Sequence, residues 1–98
     1  MSAPAYFIFH TTIDDHEAIA PYLASAMATV TAFGGRRLLM GGPATAVEGE
    51  APAGMTVILE FPGKAAAEAW YASPVYQEII GIRLGASTSD AYLVEAVA

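Results

Sequence analysis

The chain has no cysteine among its 98 residues, which excludes disulfides, a thiolate nucleophile and Cys-ligated zinc or iron-sulfur centres. Cations are almost as scarce: Arg36, Arg37, Lys64 and Arg83 stand against ten acids, for a net charge of −6 at pH 7. That balance repels phosphate backbones and anionic lipid heads, so no nucleic acid and no membrane surface is expected as a partner. Apolar runs such as Tyr6 to Phe9 fall far below the roughly 20 residues that a membrane-spanning helix needs. The N-terminus lacks the basic-then-apolar layout of a secretory signal, and a cytoplasmic location is expected.

Signatures of known chemistry are missing too. No His-Glu-x-x-His, no Gly-x-Ser-x-Gly and no phosphate loop occurs, and Gly34-Gly35 and Gly41-Gly42 lack the strand-to-helix setting of a nucleotide site. His16 lies in Asp14-Asp15-His16-Glu17, yet adjacent positions on a forming helix do not converge on one ion. It reads as a solvated helix start. Neither a metal nor a cofactor is expected.

What the chain has in excess is apolar surface: 55% hydrophobic residues against 14% charged. A length of 98 residues suits one domain, 1–98, which buries only roughly two-thirds of its unfolded surface. Association would cover what folding leaves exposed.

Ala5 to Thr12 is rich in aromatic and β-branched residues and ends at Asp14-Asp15, predicting a strand followed by a helix start. From about Asp15 to Phe33, Ile19, Leu23, Met27 and Val30 recur at helical spacing, and Gly34-Gly35 ends the run. Pro21 predicts either a kink or a regular helix that starts nearer Ala18. Arg36 to Gly41 reads as a second strand broken by Gly41-Gly42-Pro43, with Ala44 to Glu48 as a bent or separate continuation. Met55 to Phe61 is the clearest strand, and Lys64 to Ala72 is a strong helix former. Ser73-Pro74 breaks and restarts the chain as an N-cap and first helical residue. A short helix with Val75, Ile79 and Ile82 on one face and a last strand over Asp90 to Val97 complete the order.

The order β-α-β-β-α-β, with right-handed crossovers, predicts an α+β fold, the ferredoxin-like plait with antiparallel strand order 4-1-3-2 and its helices on one face. Its strands do not alternate cleanly. Tyr6 to Phe9, Leu38 to Met40, Val57 to Leu59 and Tyr92 to Val94 place apolar side chains on both faces. Helices cover one face, so the other calls for a second sheet, and a two-fold-related copy supplies it. A homodimer is expected.

Phe33-Gly34-Gly35-Arg36, Gly41-Gly42, Glu48-Gly49, Glu60-Phe61-Pro62, Ala69-Trp70-Tyr71, Ser73 to Gln77 and Arg83 together resemble the domain of unknown function 1330 family of the dimeric α/β-barrel superfamily. Trp70-Tyr71 followed by Ser73-Pro74 and Tyr76 is the most specific part. The resemblance implies a dimeric α/β barrel and supplies no activity. It also implies that this chain departs from the family on its second strand, where Arg37 replaces an aromatic and Met40 a basic residue. The wider superfamily includes monooxygenases, isomerases and haem enzymes, so the space between sheet and helices can host small molecules.

In a 4-1-3-2 sheet, His10 and Glu60 fall at opposite ends and are not a pair. Glu60 falls near Arg36 or Arg37, as a structural ion pair or as part of an anchor in which an arginine forks a ligand carboxylate. His10 falls near Asp90 and Tyr92, as a general base oriented by an acid or as a strand-end histidine in partial solvent. Trp70, Tyr71 and Tyr76 flank the Ser73-Pro74 break, as core packing or as a pocket wall that Arg83 shares. The candidate catalytic residues are His10 and Glu60, and the candidate ligand contacts are Arg36, Arg37, Trp70, Tyr76 and Arg83. The expected function is a small-molecule-binding or catalytic homodimer with an apolar cleft. The alternative is a structural or stress-associated dimer without a ligand.

Overall fold

The computed structural model describes residues 3–97. In chain order it contains β1 (Ala5–Ile13), α1 (His16–Ala32), β2 (Arg36–Pro43), β3 (Met55–Phe61), α2 (Lys64–Ala72), α3 (Pro74–Ala86) and β4 (Ser87–Glu95). The strands pair antiparallel in the order β2-β3-β1-β4, which is 4-1-3-2 counted from the other edge. The fold is α+β, a ferredoxin-like plait whose second helical region is broken in two.

Local chemistry explains most boundaries. The Asp15 carboxylate accepts a hydrogen bond from the Ala18 N–H at 3.0 Å, and Glu17 lies in the first turn. This cap starts α1 at His16 rather than near Ala18, and the helix carries Pro21 in its interior at the loss of one backbone donor. Ser73 caps α3 in the same way: its hydroxyl accepts from the Tyr76 N–H at 3.3 Å, with Pro74 as the first helical residue. Gly34, at φ 79°, turns the chain out of α1. At Gly35 a Cβ would lie 2.7 Å from both Phe61 Cε1 and Val30 Cγ1, so helix and sheet meet there across a bare backbone.

Three sequence expectations give way. β2 continues through Gly41-Gly42 to Pro43, and Ala44 to Glu48 form no strand. As an edge strand with register shifts at Arg37/Leu39 and Gly41/Pro43, β2 tolerates a residue without an N–H. β4 starts at Ser87 rather than Asp90, because Ile13, Thr12 and Thr11 pair with Ser87, Thr88 and Ser89 and draw these polar residues into the sheet. α3 extends over 13 residues and buries Tyr76, Ile80, Arg83 and Ala86, whereas Val75 is 46% exposed. The buried face is thus rotated by about one residue from the expected one.

Strand register sorts the side chains of the sheet. Ala5, Phe7, Phe9 and Thr11 are buried under the helices together with Phe61 and Leu59, their partners' row on β3. Phe7 meets Trp70 edge-on at 5.3 Å, and Trp70 lies 4.1 Å from Tyr76. Aromatic pairs of this kind contribute about 0.5–1.5 kcal/mol beyond the area they bury. Tyr6, Ile8 and His10 point the other way, in rows with Glu60, Ile58 and Thr56 and with Val94, Tyr92 and Asp90. That face is open: Leu39, Val94 and Tyr92 are 43%, 47% and 53% exposed.

Candidate functional site

A cavity of about 80 Å³ lies between α1 and the helix-facing side of β1, β2 and β3, with Arg83 of α3 at its wall. A single ordered water needs about 10–15 Å³ on such a scale, so the space suits a small molecule. Its walls are almost wholly apolar, with Ile19 and Val30 from α1, Phe9 from β1 and Val57 from β3. Three of the chain's methionines, Met27, Met40 and Met55, also line it, and their unbranched thioethers adapt to irregular occupants. Among the described residues no aspartate, glutamate or histidine reaches it.

Arg83 lies seven residues after Tyr76, two helical turns on, so both project from one face of α3. The side chain is 5% exposed. Its guanidinium carbon sits 5.4 Å from the centroid of the Phe9 ring and 6.0 Å from that of Tyr22. Such cation-π contacts offset part of the cost of burying the charge. They do not neutralise it. Among the described residues the single ion pair is elsewhere, and Arg83 Nε has no hydrogen-bond partner. Burial works against the charge, but the phenol oxygens of Tyr76 and Tyr22 outweigh it and shift the guanidinium upward.

Behind this wall the polar atoms satisfy one another. The hydroxyls of Tyr22 and Tyr76 are hydrogen-bonded at 2.9 Å. Trp70 Nε1 donates to Thr29 Oγ1 at 3.0 Å, and that hydroxyl donates to the Ala26 carbonyl at 2.6 Å. Burial, followed by the nearby Tyr76 oxygen, pushes the Tyr22 phenol far above its ordinary range, so it stays protonated at any physiological pH.

The open sheet face carries a second polar group. Arg36 Nε donates to Glu60 Oε1 at 2.7 Å, with Arg36 largely exposed. The Arg36 hydrogen bond holds the Glu60 carboxyl below the usual range against a weaker opposing effect of burial, and Glu60 in turn pushes up the Tyr6 phenol. His10 Nδ1 lies 3.3 Å from Thr56 Oγ1, and its ring is 6.1 Å from that of Tyr92. Asp90 is the register partner of His10. Glu60 stands opposite Tyr6 at the other end of the strand pair.

The candidate residues therefore divide between two faces. Arg37, Trp70 and Arg83 line the cavity, and Tyr76 supports it through Tyr22. His10, Arg36 and Glu60 lie across the sheet from it. Tyr22 and Phe9 are wall residues that sequence reasoning did not single out. Tyr22, three residues after Ile19, was the available signal: it is buried, whereas Leu23 is 44% exposed.

A model of the domain of unknown function DUF1330 matches residues 4–97. The chain belongs to the DUF1330 family. No curated protein matches it. Among solved structures, a similar fold recurs in a protein of unknown function from Rhodopseudomonas palustris, with a TM-score of 0.80 at 19% identity over 100% of this chain and 85% of that one. A dimeric ferredoxin-like protein of unknown function from Jannaschia sp. CCS1 aligns with a TM-score of 0.66 at 16% identity, over 95% and 99% of the two chains. SnoaB, a cofactor-independent oxygenase from Streptomyces nogalater, aligns with a TM-score of 0.59 at 17% identity, over 99% and 96%. At these identities the likeness carries the plait alone. Among the described residues no helix is long and apolar enough to cross a membrane.

Proposed function

We propose that this DUF1330 protein is a small-molecule-binding homodimer, whose cavity between α1 and the sheet takes up a compact, mostly apolar organic molecule. The observation that carries the reading is Arg83: a charge that is 95% buried, without a carboxylate partner among the described residues, at the wall of an apolar space. A buried donor left without a partner, as its Nε is among the described residues, costs stability. A ligand that pairs with it recovers part of the loss, which is a reason for the arrangement to persist. The reading assigns residues 1–98 to one domain in the cytoplasm.

Dimerisation is supported by the open sheet face, where Leu39, Tyr92 and Val94 are exposed beside Ile8 and Ile58, and by the dimeric assembly of the Jannaschia neighbour. A second copy packed there would also enclose Arg36, Glu60 and His10. SnoaB performs oxygenase chemistry without a cofactor on the same plait, which makes catalysis in this cavity a reasonable extension. It would have to proceed without a histidine or carboxylate base in the wall, as neither reaches it among the described residues.

The competing reading, a structural dimer with no ligand, draws on the mutual satisfaction of Tyr22 with Tyr76, Trp70 with Thr29 and Arg36 with Glu60. A thermal-shift screen of neutral, acidic and basic organic fragments, followed by crystal soaks of the hits, separates the two. A ligand present at 100 times its Kd stabilises the native state by about 2.7 kcal/mol. The binding reading predicts such shifts and density against Arg83. A screen without shifts and crystals with an empty cavity would leave the structural dimer.

A further inference from the structure

Resting on the reading of the cavity as a ligand site, we infer that its ligand is an organic acid, an anionic head on an apolar body, with the head group taken by Arg83. The charge pattern is the first ground. The chain carries ten acids against four cations, yet the cavity is lined by two of those cations, Arg37 and Arg83, and among the described residues by none of the acids. The local field is thus opposite in sign to that of the whole molecule. Anions that the surface repels are attracted at this one place.

Burial is the second ground. Arg37 is exposed at the mouth, whereas Arg83 is 5% exposed and its Nε has no partner among the described residues. A guanidinium presents five donors and no acceptor, and its planar fork matches a carboxylate. The neighbouring phenols of Tyr22 and Tyr76 are occupied with each other at 2.9 Å. Both phenols also act on the guanidinium, so it is Nε, without a partner among the described residues, that is left for an occupant of the cavity. Neutral ligands would leave it unpaired, and cationic ones would meet like charge.

The remaining wall sets the body of the ligand. Phe9, Ile19, Val30 and Val57 offer only hydrocarbon, and about 80 Å³ limits the size. A short aliphatic or single-ring carboxylic acid fits this description. Sugars and polyols, which need many hydrogen-bond partners, do not.

The test compares isosteric pairs, phenylacetate with phenylacetamide and hexanoate with hexanamide, by calorimetric titration of the full chain. Because a hydrogen bond between charged groups in a desolvated site is stronger than its neutral counterpart, the acids should bind about tenfold or more tightly than the amides. The preference should disappear in Arg83→Gln and persist in Arg37→Gln. Equal binding of acid and amide, or preference lost with Arg37→Gln alone, would overturn the inference while leaving a ligand site for neutral molecules. Absence of binding by all four probes also overturns it, and the fragment screen then decides whether the cavity binds anything. The comparison of acid with amide on the unmodified protein stands even if Arg83→Gln fails to fold.

Discussion

The hydroxyls of Tyr22 on α1 and Tyr76 on α3 meet at 2.9 Å inside the core, tying the two helices that frame the cavity. Removing one hydroxyl strands the other. Tyr22→Phe or Tyr76→Phe should each cost about 1–3 kcal/mol, while the double variant, which removes both partners, should cost less than the sum. Urea unfolding of the three variants checks this. The same pair sets an alkaline limit. Burial raises the Tyr22 phenol above its ordinary value of 10.0, so the unfolded chain ionises first: this contribution to stability is complete below pH 10 and falls as pH rises past it. Tyr22→Phe should flatten that decline.

Arg83 should weaken the fold that it serves. Its replacement by methionine keeps a long flexible side chain against Phe9 and removes a buried charge that has no carboxylate partner among the described residues, an exchange that is commonly neutral or stabilising. Arg83→Met should melt at the same temperature or higher and lose its response to ligands. A fall of more than about 4 °C, roughly 1 kcal/mol in a domain of this size, would mark Arg83 as a structural residue.

Two glycines should respond in opposite directions. Gly54 has φ 77°, and a Cβ there would run into the Thr11 carbonyl at the end of β1. Gly54→Ala should cost more than about 1 kcal/mol. Gly81 lies exposed within α3 with open space where a Cβ would go, so Gly81→Ala should gain about 0.5–1 kcal/mol. Thermal unfolding of the two variants reads both signs.

The open sheet face should fail as an interface when charged. Tyr92 is 53% exposed in the single subunit, so Tyr92→Glu costs the monomer little but places a carboxylate where a second sheet would pack. Sedimentation equilibrium should show a dimer for the unmodified chain and a shift to monomer for the variant. A monomer for both would remove the dimer from the account.

Much of the plait was legible in the sequence because its signals are local. Met55–Phe61 and Lys64–Ala72 end where Pro62-Gly63 and Ser73-Pro74 end them, and alternation failing in β1 and β3 pointed to two apolar faces. Signals that depend on a neighbour were not legible. Ser87 to Ser89 are polar and join β4 only because β1 offers partners, such as Thr11, whose hydroxyl lies 3.0 Å from that of Ser89. The site was harder still. α3 is apolar nearly all round, so periodicity could not choose between the Val75-Ile79-Ile82 face and the Tyr76-Ile80-Arg83 face. An arginine is ordinarily a surface residue. Its burial here follows from the aromatic rings of Phe9 and Tyr22, which come from two other elements.

The most direct measurement of the cavity's role uses the methionines. Met27, Met40 and Met55 come from α1, β2 and β3 and converge on its lining. With 13C-methyl-methionine labelling, titration with phenylacetate should move all three methyl resonances along one saturable curve, and the movement should vanish in Arg83→Met. Binding that leaves these three methyls unshifted, or shifts that survive loss of the guanidinium, would contradict the assignment of the ligand to this cavity and its head group to Arg83.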